Sequence, residues 1–163
     1  MKYEVLLLTI SILFLTAACL EERVIDSENT PQVKEITKDI FETPPELKIV
    51  VDGVEIAAVL GARTWSYFDE KEKAMTLFEA ETHSPLEIAE HRKASKVNET
   101  TKIGLEFERD PHSYNFYRWD SGSQRIGPFS EITFEESKGK TVYEVVATWD
   151  QGTAHYVFSL EVE

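Results

Sequence analysis

The chain has 163 residues with 30 acidic and 17 basic side chains, a net charge of -13. Such a balance excludes nucleic acid and anionic lipid surfaces as electrostatic partners, because both would repel it. A single cysteine, Cys19, excludes an internal disulfide or a cysteine-based metal site. Lys2 opens the chain, and Val5 to Leu15 form an apolar stretch followed by the small residues Ala17 and Ala18. Positive start, apolar middle and small residues at a cut site are the order of an export signal. A membrane span needs about 20 apolar residues, and here charge returns at Glu21. Residues 1–18 are therefore expected to be removed rather than retained as an anchor.

Leu15-Thr16-Ala17-Ala18-Cys19 resembles the lipobox of bacterial lipoproteins. The resemblance implies cleavage between Ala18 and Cys19, diacylglyceryl transfer to the Cys19 sulfur, and attachment to the outer side of the cell membrane by covalent lipid. The same residues also fit an ordinary secretory signal cut after Ala17 or Ala18. Loss of residues 1–18 removes Lys2 and Glu4 together, so the mature chain keeps the net charge of -13.

Residues 19–45 have the composition of an acidic tether, with Pro31, Pro44 and Pro45 interrupting it. Val33, Ile36, Ile40 and Phe41 have helical spacing, which predicts a short helix between Thr30 and Glu42. Residues 46–163 form the expected domain, and there the apolar period changes to two. Leu47, Ile49 and Val51 predict a strand, and Asp52-Gly53 predicts a tight hairpin, since glycine tolerates the positive φ of primed turns. Further strands are predicted over 54–60, 62–68, 103–108, 114–119 and 132–135. The clearest pair is 142–149 and 154–162, joined by Asp150-Gln151-Gly152-Thr153. The one predicted helix runs from Pro85 to about Lys93, with Ser84 as N-cap and Glu87 in its first turn.

Short strands at hairpin spacing with almost no helix predict an all-β, antiparallel sandwich of about seven to nine strands. Gly139 to Val145 place Tyr143 just after a turn and two residues before a core position. This arrangement resembles the tyrosine corner of immunoglobulin-like domains, with Val145 where antibody domains carry their second cysteine and Trp119 as candidate for the buried strand-C tryptophan.

No motif for a catalytic, cofactor-binding or metal-binding site stands out, so none of the three is expected. His83, His91, His112 and His155 lie in unrelated segments. Glu87 and His91 are four apart on the predicted helix and are expected to form a surface pair. Asp150, Gln151 and Gly152 are accounted for by turn chemistry. Glu106 and Glu108, like Glu135 and Glu136, are expected on solvated strand faces. Trp65, Tyr67 and Phe68, with Tyr114, Phe116, Tyr117 and Trp119, exceed the needs of one inner face. They are expected in core and edge packing, with an exposed patch for a partner or a sugar as the alternative.

From Pro45 onward the chain resembles small uncharacterised lipoproteins of Bacillus and related Gram-positive bacteria. The residues that carry the resemblance are Gly61-Ala62-Arg63-Thr64-Trp65-Ser66-Tyr67, Ser84-Pro85-Leu86-Glu87 and Tyr143 to Phe158. It implies topology and location rather than an activity. The expected role is a non-enzymatic binding or envelope-accessory module with a protein or cell-wall partner. The alternative is a proteinase-inhibitor-like sandwich that protects envelope proteins.

Overall fold

A computed structural model describes residues 40–134 and 137–163; Ala18, Cys19, Glu135 and Glu136 lie outside the described residues. The predicted helix over 30–42 also falls largely outside them, and residues 40–42 are not helical. The described chain is an all-β, immunoglobulin-like antiparallel sandwich with one short helix. Its elements are β1 (Leu47–Val51), β2 (Val54–Ala57), β3 (Val59–Asp69), β4 (Ala74–Ala80), α1 (Pro85–Glu90), β5 (Ser95–Val97), β6 (Ile103–Phe107), β7 (Ser113–Trp119), β8 (Arg125–Phe129), β9 (Gly139–Trp149) and β10 (Gly152–Val162).

One sheet has the order β2-β1-β6, the other β4-β3-β10-β9-β7-β8. The short β5 joins the second sheet by pairing parallel with the end of β10. The run β7-β9-β10 reproduces the C-F-G order of immunoglobulin sheets, and the passage from β6 to β7 crosses between sheets as B to C does.

Local chemistry explains the hairpins. Asp52 and Gly53 both have positive φ (47° and 84°), the primed turn whose twist matches the strands it joins. At the β9–β10 turn, Gly152 has φ 150°, and a Cβ there would stand 2.0 Å from the Thr64 carbonyl oxygen. Only glycine lets β3 lie this close to β10. The helix starts where expected: the Ser84 hydroxyl accepts from the Glu87 backbone N–H, and the Glu87 carboxylate accepts from Ser84. It ends early, at Glu90, and the Lys140 ammonium donates to the carbonyls of Ala89, Glu90 and Arg92 beyond it.

The core lies between the sheets. Leu47, Ile49 and Val51 of β1 face Trp65 of β3, Tyr143, Val145, Ala147 and Trp149 of β9, and Tyr156, Phe158 and Leu160 of β10. Tyr143 behaves as a tyrosine corner: it stacks on Phe158, and its hydroxyl donates to the Thr133 carbonyl at 3.2 Å.

Several elements differ from expectation. Trp119 is not the core tryptophan. It points to the outer face of the second sheet with Val142 and Val157, while Phe116 is the buried residue of β7 and Trp65 and Trp149 fill the core. The strand break comes at Ala58 rather than at Gly61, so β3 runs unbroken through that glycine. Residues 132–134 form no strand, although Ile132 and Phe134 still pack on the core. Strands β4, β5 and β8 were not anticipated.

Candidate functional site

Three loops meet at one end of the sandwich: residues 40–45, the β6–β7 connection and the β9–β10 hairpin. Gln151 ties them together. Its side-chain oxygen accepts from the Phe41 N–H at 2.9 Å, and its amide nitrogen donates to the carbonyls of Phe41 and Ser66, each at 2.8 Å. Two indoles fix the same loops: Trp65 donates to the Phe41 carbonyl (3.0 Å) and Trp149 to the Arg109 carbonyl (3.1 Å). Both tryptophans are buried, with ring centroids 5.6 Å apart in an edge-to-face arrangement. Buried indoles that keep their N–H satisfied add area and direction at once.

Above this aromatic floor lies a cavity of about 320 Å³ with Phe41, Arg109, Asp110, His112, Asp150 and Gln151 among its lining residues. The Arg109 guanidinium sits 5.2 Å from the centre of the Phe41 ring. His112 Nε2 lies 2.7 Å from Asp150 Oδ1, and both side chains are exposed. An aromatic floor with a rim of both charge signs suits a small polar ligand or one side chain of a partner. Among the described lining residues there is no serine, threonine or cysteine for the imidazole to activate.

A second constellation lies on the outer face of the large sheet. Glu144 of β9 is only 4% exposed. Its carboxylate lies 2.6 Å from His155 Nδ1 and accepts from the Trp119 indole at 3.0 Å, with the Arg125 guanidinium 3.8 Å away. Arg125 in turn lies over the Tyr117 ring, 3.5 Å from its centre. Burial pushes the Glu144 carboxyl upward, but the hydrogen bonds from His155 and Trp119 and the nearby Arg125 guanidinium outweigh it, so its pKa falls below the ordinary 4.5. The cluster satisfies its own partners, which is the arrangement of a structural lock on the sheet.

The candidate residues fall as follows. His112 joins Asp150 at the cavity, and His155 joins Glu144 on the outer face, two pairings brought about by strand register. His91 is the exposed C-cap of α1, and Glu87 turns to Ser84 instead of forming the expected pair with His91. Among the described residues no group of three or more histidine, cysteine or acidic side chains could hold a metal ion. Glu106 and Glu108 are exposed. Asp150 and Gln151 do more than turn the chain, and sequence reasoning missed this. The only signal was a glutamine, which offers one acceptor and two donors, at a hairpin tip. The chain matches no protein-family model, no curated protein and no solved structure.

Proposed function

We propose that this chain is a lipid-anchored extracytoplasmic protein whose sandwich is a non-enzymatic binding module. The anchoring part rests on the lipobox-like run ending at Cys19 and on the resemblance to Gram-positive lipoproteins. The binding part rests on one observation: the end cavity has an aromatic floor and a charged rim, and its polar groups hold loops in place. A rigid concave surface of this kind is built for recognition. It offers no nucleophile paired with a base among the described residues.

Two measurements test the proposal. In cells, the full-length chain should fractionate with membranes and carry acyl mass on Cys19, while Cys19→Ala should appear in the medium or as precursor. Unchanged membrane retention of the variant would overturn lipid anchoring. A photocrosslinking side chain at His112 should capture a defined partner that the same probe at exposed Lys71 does not. Turnover of a wall-derived substrate, abolished by a substitution at His112 or Asp150, would replace the binding module with an enzyme.

A further inference from the structure

The edge of β10 is covered in two pieces. Strand β3 pairs with it as far as Val157, opposite Val59, and β5 takes over only at Leu160, opposite Ser95. Between them the chain has left the sheet, because at Ala58 it crosses to the other layer, where its N–H donates to the Leu47 carbonyl. The result is a gap in the sheet edge at Phe158 and Ser159, and a cavity of about 300 Å³ occupies it. Ile56, Ala57 and Val59 form one wall, Val157 to Ser159 the floor, and Arg92 and Lys93 the other wall.

The gap brings two cations and a buried hydroxyl together. Arg92 and Lys93 are adjacent, exposed, and form no ion pair with the described residues. In the floor, Ser159 is 3% exposed and its Oγ is the one buried side-chain polar atom without a hydrogen-bond partner among the described residues. A buried hydroxyl left unmatched is costly unless something completes it. The carbonyls at the end of α1, which would repel an anion, are covered by Lys140.

We propose that the gap between β3 and β5 is a binding site for a phosphate-type oxyanion. Arg92 and Lys93 supply two positive charges to match its dianionic form, and Ser159 supplies a donor from the floor. Arginine offers a planar fork to such oxygens and lysine a mobile point charge, which together suit a tetrahedral anion. The site is separate from the tryptophan cavity, so it stands or falls independently of the binding role proposed for that end.

The test is a titration of the full-length protein in neutral detergent with inorganic phosphate and with a soluble phosphomonoester, read by backbone amide NMR shifts. Sodium chloride at matched ionic strength is the control. Saturable shifts at Arg92, Lys93 and Ser159, absent with chloride, are expected. Arg92→Gln with Lys93→Gln should weaken binding by about tenfold or more, and Ser159→Ala by several-fold. Both cations are exposed, so the double variant should keep its unliganded melting temperature. Shifts that are linear and equal to those of chloride would overturn the site, as would equal affinity in the double variant. A response to anionic vesicles without any response to soluble phosphate would also overturn it, because a diffuse surface effect would then suffice.

Discussion

Strand β9 presents two unlike faces to its surroundings. Inward, Tyr143, Val145, Ala147 and Trp149 join an aromatic network in which Trp149 packs edge-on against both Trp65 and Phe107. Outward, one position along, Glu144 is buried as deeply as its neighbours but held by His155, Trp119 and Arg125. Burial alone therefore says little about how a position stabilises the fold. The inner face gains from area removed from water and from packing, whereas the outer face around Glu144 gains only while every partner of the charge stays in place.

The largest effect should come from breaking the inner face. Trp65→Ala removes a side chain that is 1% exposed, together with its bond to the Phe41 carbonyl. It should destabilise the domain by about 3–5 kcal/mol in urea unfolding. Next comes the outer face: Glu144→Ala leaves the Trp119 indole and His155 unmatched and should cost about 2–3 kcal/mol. Glu144→Gln keeps an acceptor for Trp119 and should recover a good part of that loss. Equal losses for the alanine and glutamine variants would mean that charge, not hydrogen bonding, dominates the cluster.

The two faces should also fail at opposite ends of the pH scale. Glu144 has its folded pKa lowered, so its contribution is complete above the unfolded value near 4.5 and is lost as pH falls through the lower folded value. The stability gap between the wild type and Glu144→Gln should narrow in acid. On the inner face, burial raises Tyr143 and Tyr156 above the ordinary 10.0. Their contribution is complete below that value and declines as pH rises beyond it, because the unfolded chain ionises first. Denaturation curves across the pH range would show both limbs. The smallest effect belongs to Tyr143→Phe, which removes only the hydroxyl bond to the Thr133 carbonyl and should cost about 1 kcal/mol in urea unfolding. It should also soften the alkaline limb.

Much of the sandwich was legible because alternation and turn residues agree. The pair β9 and β10, the Asp52-Gly53 hairpin and the Ser84 cap all carry signals within a few residues of where they act. Strand β4 carries none: Ala74 to Ala80 places Met75, Leu77 and Phe78 on both faces, and it sits at a sheet edge with those side chains exposed. Strand β8 contains Gly127 and Pro128, which argue against a strand unless it lies at an edge, as it does. The site was less legible still. His112 with Asp150, Gln151 with Phe41, and Glu144 with His155 meet through register and loop closure. Trp119 faces outward because β7 alternates regularly against β9: Phe116, opposite Val145, points into the core, and three residues on Trp119, opposite Val142, points away from it.

The attachment of residues 40–45 has a mechanical consequence. Force arriving from the N-terminal side does not reach β1 first. It meets Phe41, which is bonded to Gln151 at the tip of the β9–β10 hairpin and to Trp65, and then Pro45, whose carbonyl accepts from the Tyr156 hydroxyl. A pull from that direction is thus handed to the longest and most central pair of strands. The hairpin tip serves as a clamp, and the fragile outer strand β2 is spared the load.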